Sequence, residues 1–108
     1  MERQMATFVV AHGAWAGSWA WTRVADRLVA KGHRVFVPAH RGLGERSHLA
    51  GSPINLTTHI DDVVNEVLWK DLTDSVPAGH SYGGFVTTGV AEKIAERLSS
   101  IVYVDAFI

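Results

Sequence analysis

The sequence predicts an α/β fold: a mostly parallel four-stranded sheet with helices on both faces. Two observations predict it. Four short apolar, β-branched runs (Thr7–Ala11, Arg34–Val37, Ser75–Ala78 and Ile101–Val104) read as strands buried on both faces. The segments between them carry apolar residues at helical spacing, and strand–helix alternation implies right-handed crossovers and parallel pairing.

Thr7–Ala11 is the first strand, and His12-Gly13 breaks it. In the first helix Ser18 reads as N-cap, and Trp21, Val24, Ala25, Leu28 and Val29 form one apolar stripe. Lys31-Gly32 supplies a cation and a left-handed stop. After the second strand, Pro38 to Leu56 is the only extended loop, rich in Gly, Ser and His. Thr58 and Asp61 fit a capping box, and Ile60, Val63, Val64, Val67 and Leu68 build the second helix's stripe. Asp61-Asp62 reads as a favourable charge pair in that helix's first turn. Val86, Val90, Ile94 and Leu98 recur every four residues in a third helix ending near Ser99-Ser100. Pro77 is the discordant residue: it removes a ladder N–H from a strand expected in mid-sheet, so a bulge or a locally unpaired position is expected there.

Length and composition bound the rest. At 108 residues, 47% hydrophobic and 19% charged, the chain is expected to form a single domain over residues 1–108 with an ordinary core. Ten basic against eleven acidic side chains leave no cationic excess for a nucleic-acid backbone or a membrane patch. No apolar stretch approaches the ~20 residues that span a bilayer. Without cysteine there is no thiolate zinc site, and the histidines show no H-x-x-x-H or carboxylate-flanked pattern, so no metal is expected. Gly42-Leu43-Gly44-Glu45-Arg46-Ser47 lacks the third glycine of a dinucleotide fingerprint, and no cofactor is expected either. Met5–Ala11 is apolar apart from Thr7 and is followed by Ala14-Trp15-Ala16, but it is short for a signal core and Glu2 cancels Arg3 ahead of it. It reads as a strand, and a cytoplasmic protein is expected.

Chemistry in such sheets collects at the carboxyl ends of the strands. The third strand ends in Gly79-His80-Ser81-Tyr82-Gly83, a G-x-S-x-G sequence between strand and helix, which is the context that motif requires. The sharp turn strains the central residue, the flanking glycines let neighbouring backbone pass, and the serine is presented at a helix N-terminus. The first strand ends in His12-Gly13-Ala14-Trp15, placed as a loop that donates a backbone N–H to an oxyanion. Acyl transfer needs two such donors, and the N–H groups of Ala14 and Tyr82 would supply them.

These motifs, with Gly42-Leu43-Gly44-Glu45-Arg46-Ser47-His48-Leu49 and Val102-Tyr103-Val104-Asp105-Ala106-Phe107, resemble the N-terminal half of an α/β-hydrolase, closest to the esterase-like branch of plant methyl esterases and hydroxynitrile lyases. The resemblance implies that Ser81 is the nucleophile, that Ala14 and Tyr82 are the oxyanion donors, and that the second strand lies beside the first, then the third, then the fourth. It places the family's catalytic histidine, usual acid and cap beyond Ile108. Asp105 holds a position used for the acid in some other branches, against the competing reading of a strand-end aspartate bonded to nearby backbone. Trp15 could face substrate; Trp21 fits the helix stripe, and Trp19 has no assigned place. His80 should point away from Ser81, His12 should order its loop, and His33, His40, His48 and His59 are not expected to act as the base.

Two classes of function follow. One is a serine hydrolase acting on a small carboxylic ester, its base and acid supplied from outside this chain, with a cyanohydrin-cleaving lyase as a same-fold variant. The other is a non-catalytic, truncated or complementing half-domain whose apolar last strand leaves an open edge, inviting self-association or a complementing C-terminal half.

Overall fold

The structure is a computed structural model that describes residues 5–14, 16–49 and 54–108. Four strands, β1 (Thr7–Ala11), β2 (Arg34–Phe36), β3 (Ser75–Ser81) and β4 (Val102–Ala106), form one parallel sheet in the order β2-β1-β3-β4. Three α-helices connect them: α1 (Thr22–Ala30), α2 (Leu56–Trp69) and α3 (Gly83–Ile94). Short 3-10 turns lie at Ser18–Trp21, Gly44–Leu49 and Ala95–Arg97. The expected parallel sheet and strand order are both present.

Alternation along β3 separates the two faces. Gly79 faces α3, where a Cβ would come within 2.6 Å of the Thr87 Oγ1, whereas His80 faces α1 and meets the Trp21 ring edge-on at 6.0 Å. The core fills the α2–α3 side: Val9 and Ala11 from β1 pack against Ile60, Val63, Val64 and Val67 of α2 and Val86, Val90 and Ile94 of α3. Burying each such valine is worth roughly 1.5–3 kcal/mol. On the opposite face α1 carries the expected stripe, yet none of its residues is buried and Val24 and Val29 are exposed. Trp21 belongs to that stripe but lines an apolar hollow of about 460 Å³ with Ala16, Ala20, Val24, His80 and Val104.

Several boundaries differ from expectation for identifiable reasons. Ser18 does not cap α1. It opens the 3-10 turn, whose cap position is Gly17, and Trp21 leads into the helix without a side-chain cap. Helix α2 starts at Leu56, and its capping box is Asn55 with Thr58, not Thr58 with Asp61: the Thr58 N–H donates to the Asn55 Oδ1 (3.0 Å) and the Asn55 N–H to the Thr58 Oγ1 (3.2 Å). Asp61 and Asp62 therefore fall beyond the first turn. Helix α3 ends at Ile94, and Leu98 bridges to Ser75 at the sheet instead of continuing the helix. Val37 lies past the end of β2, and β3 runs on to Ser81.

Pro77 needs no bulge. The β1–β3 register runs unbroken through Val9↔Pro77, while β3–β4 pairing begins only at Ala78↔Val102. Proline is confined to positions whose missing N–H has no ladder partner to serve, and the β4 side of Pro77 has none. The register shift falls at His80/Ser81, where β3 leaves the sheet.

The turn into α3 rests on Gly83, where a Cβ would lie 2.0 Å from the Ala11 carbonyl oxygen. Gly→Ala within a helix ordinarily stabilises by about 0.5–1 kcal/mol. At Gly83 the sign should reverse: Gly83→Ala is expected to cost about 1–3 kcal/mol through overpacking, read as a Tm lowered by at least about 4 °C. An unchanged or raised Tm would contradict the close approach.

Candidate active site

Strand β3 passes into α3 through Tyr82 alone, and Ser81 carries φ +54°, in the left-handed region. For a residue with a Cβ that conformation costs about 1–3 kcal/mol and persists only where the surroundings hold it. Gly79 presses on the Gly83 carbonyl and Gly83 on that of Ala11, so the backbone on both sides of the serine is pinned. The Phe107 N–H donates to the Ser81 carbonyl at 3.0 Å, closing the β4 side. Ser81 is half-buried, one residue ahead of the positive end of α3.

The loop after β1 runs alongside. A Cβ placed on Gly13 would be 3.6 Å from the Ser81 Cβ, so the His12–Ala14 turn borders the serine. Ala14 is half-buried, and the Ala16 N–H returns to the Gly13 carbonyl (3.3 Å). The structure thus brings Ser81, Tyr82 and the turn carrying Ala14 to one edge of the sheet. Trp15 lies outside the described residues. Asp105 is exposed at the end of β4, with φ +44°, next to Ala106, the residue that pairs with Ser81.

Behind this edge three imidazoles lie in a row, His12 tilted against His40 and His40 stacked on His59. The His12 and His40 ring centroids are 4.1 Å apart and those of His40 and His59 5.0 Å. Their partners fix the tautomers, because a carbonyl can only accept. His12 Nδ1–H donates to the Gly13 carbonyl (2.8 Å), leaving Nε2 to accept from the His40 N–H (2.9 Å). His40 Nε2–H donates to the His12 carbonyl (3.0 Å). His59 Nε2–H donates to the Arg41 carbonyl (2.9 Å), so Nδ1 accepts the phenolic proton of Tyr82 (2.6 Å). Burial above all, with His12 and His59 alongside, holds the His40 pKa down at about 3. Burial also raises the Tyr82 phenol above its ordinary value.

The long loop is tied to α2 by Asp62. Its carboxylate accepts from the Arg41 N–H (2.7 Å) and guanidinium (3.1 Å), with Arg46 at 3.6 Å, and its side chain is only 4% exposed. Asp62 is therefore a buried anchor, where a first-turn charge pair was expected; its neighbour Asp61 pairs with Lys93 on the surface. Gly44, at φ +52°, presses the same loop onto the turn after β1, where a Cβ would be 2.6 Å from the Gly17 Cα and 2.8 Å from the exposed Trp19 ring. Gly44 thus serves loop packing, while Gly42, at φ +80°, turns the loop so that its N–H donates to the Arg46 carbonyl (3.1 Å).

Among the described residues no histidine hydrogen-bonds the Ser81 hydroxyl. His12, His40 and His59 are engaged as above, His33 Nδ1 accepts from the Ala6 N–H (3.0 Å), His80 points to the opposite face, and His48 is exposed. No cluster of His, Asp and Glu among the described residues could hold a metal ion. The His40–His59–Tyr82 chain escaped sequence reasoning. Its members are scattered over a loop, a helix and the serine turn, and their only sequence signal was an unusual number of histidines.

A left-handed serine between a parallel strand and a helix, with a strand-end loop beside it, is the arrangement of the α/β-hydrolase fold. The chain belongs to the alpha/beta hydrolase family, whose profile matches residues 8–108. It is 49% identical over 104 residues to the carbendazim hydrolyzing esterase of Nocardioides sp. (strain SG-4G), covering 96% of this chain and 43% of that relative. It is 35% identical over 118 residues to Methylesterase 1 of Arabidopsis thaliana, covering 98% and 41%. Among solved structures, an extracellular alpha/beta-hydrolase from a Paenibacillus species superposes with a TM-score of 0.86 at 33% identity, covering 95% of this chain and 41% of that one. Polyneuridine aldehyde esterase shares the fold with a TM-score of 0.87 at 23% identity. The chain spans about two-fifths of the length of these relatives.

The buried neutral His40 makes stability depend on pH in a definite direction. Unfolded, it titrates near 6.5; folded, near 3. The unfolded chain therefore binds the extra proton, and this contribution is complete above pH 6.5 and lost as pH falls towards 3. In denaturant titrations between pH 6.5 and 4, His40→Gln is expected to remove up to about 1.4 kcal/mol per pH unit of slope. Equal slopes in the two proteins would contradict a buried neutral imidazole.

Proposed function

We propose that the protein is a serine hydrolase of small carboxylic esters, with Ser81 as nucleophile and the N–H groups of Ala14 and Tyr82 as the oxyanion hole. The observation that carries this reading is the left-handed Ser81, wedged between Gly79 and Gly83 and bordered by the turn after β1. The Ser81 oxygen would add to the ester carbonyl carbon while its proton passes to a base. The carbonyl oxygen becomes an oxyanion facing the two amides, collapse expels the alcohol with that proton, and water then releases the acid from the acyl-serine. The base comes from outside these residues, since no histidine described hydrogen-bonds Ser81; the acid comes from there too, or is Asp105 once such a histidine is in place. Trp15, outside the described residues, is carried as a candidate substrate contact. Relatives named as esterases support an ester with a small alcohol portion, and carbendazim and simple methyl esters are the first substrates to try. The site of action is assigned to the cytoplasm as part of this proposal.

A second reading concerns association. Among the described residues strand β4 pairs only with β3, and Val102, Tyr103 and Val104 are each more than a third exposed, as are Phe107 and Ile108 beyond it. Such an open apolar strand invites a second copy or a complementing C-terminal half of a hydrolase. Sedimentation showing a monomer with no added partner would count against self-association.

The hydrolytic reading is tested in the full polypeptide with methyl esters and a fluorophosphonate. Wild type should turn over ester and take one phosphonyl label, and Ser81→Ala should lose the label and at least about 10⁴-fold in kcat. Activity within tenfold of wild type in Ser81→Ala would overturn the assignment, and turnover of a cyanohydrin in place of ester would move it to the lyase variant.

A further inference from the structure

We infer that His59 is a positioning residue for the oxyanion hole, acting through the Tyr82 phenol; the inference rests on the hydrolytic reading above. Tyr82 is the single residue between the serine and α3, and no side-chain cap holds that helix end. The peptide N–H assigned to the oxyanion thus belongs to a residue held by the Gly83 contact and the Phe85 N–H on the backbone side, with its own side chain as the remaining anchor. That side chain reaches across to α2, where its hydroxyl donates to His59 Nδ1 at 2.6 Å, 23 residues away in sequence.

The acceptor is itself held. His59 is 7% exposed and places Nε2–H on the Arg41 carbonyl (2.9 Å), which forces the lone pair onto Nδ1, facing the phenol. Arg41 is locked in turn by Asp62, one helical turn along α2 from His59. Ring packing leaves the phenol little room to swing: Tyr82 stands edge-on to His59 (5.5 Å), His40 (6.2 Å) and Phe85 (6.5 Å). Rotating residue 82 enough to turn its N–H away would break the buried bond to Nδ1. Because an oxyanion exists only after attack, a loosened donor should lower kcat and leave KM nearly unchanged. Misplacement by ~1 Å is enough to matter.

Four variants of the full polypeptide separate this role from simple packing. Tyr82→Phe and His59→Leu should each lower kcat about tenfold with KM within about twofold. The double variant should be no slower than the worse single one, since both remove the same bond. His59→Asn, which restores an acceptor near the Nδ1 position, should recover most of the loss. In parallel, the ¹⁵N order parameter of the residue 82 amide should fall from about 0.85 towards 0.6 in Tyr82→Phe. If His59→Leu does not fold, Tyr82→Phe, which removes one oxygen, decides alone. Wild-type activity and an unchanged amide in Tyr82→Phe, or multiplicative losses in the double variant, would overturn the inference. Loss of amide order in a protein with no Ser81-dependent turnover would uphold the positioning of residue 82 and sink the hydrolytic reading instead.

Discussion

The site depends on how closely the turn after β3 approaches β1. Gly83 lies so near the Ala11 carbonyl that no side chain fits between them, and Gly79 is pressed against the Gly83 carbonyl in the same way. With strand and helix forced together at both points, the chain must reverse direction within Ser81 and Tyr82. The left-handed serine is the geometric consequence. Its strain of about 1–3 kcal/mol is held by the packing of Val9 and Ala11 against α2 and α3. The same contact sets the serine beside the turn after β1, because Ala11 ends the strand from which that turn springs. One backbone constraint therefore fixes both where the serine stands and which turn borders it.

A polar layer supports this edge from behind. His12, His40 and His59 occupy space that an ordinary core would fill with apolar side chains, and burial above all keeps His40 neutral. The stack joins the three chain segments that meet at the strand ends: the turn after β1, the loop after β2 and helix α2. Asp62 closes the arrangement by gripping Arg41 and Arg46 of the long loop. Buried polar groups of this kind specify geometry more than they add stability, since unsatisfied alternatives are costly.

Most of the fold was legible because parallel, two-sided strands write continuous apolar runs and their connecting helices write four-residue recurrence. Thr7–Ala11 was delimited to the residue, and the strand order followed from the family resemblance. The elbow was legible because glycine at 79 and 83 has few other uses between strand and helix. What stayed hidden was set by tertiary contact. Asp61-Asp62 looks like one charge pair in sequence, yet one carboxylate points to the surface and the other into the loop. The Asn55–Thr58 box was missed because the helix begins two residues before Thr58. Pro77 left a bulge and a locally unpaired position both open, because sequence cannot say where β4 begins to pair; the structure takes the second. The link between His59 and Tyr82 spans 23 residues with no local periodicity to announce it.

The central claim is that the serine faces two main-chain donors. A high-resolution structure of the full polypeptide carrying a phosphonate ester on Ser81 measures this directly, because the phosphonyl oxygen occupies the oxyanion's place. The account predicts that oxygen at about 2.7–3.1 Å from the backbone nitrogens of both Ala14 and Tyr82. A phosphonyl oxygen turned to solvent, or bonded to side chains with either amide beyond hydrogen-bond reach, would contradict it.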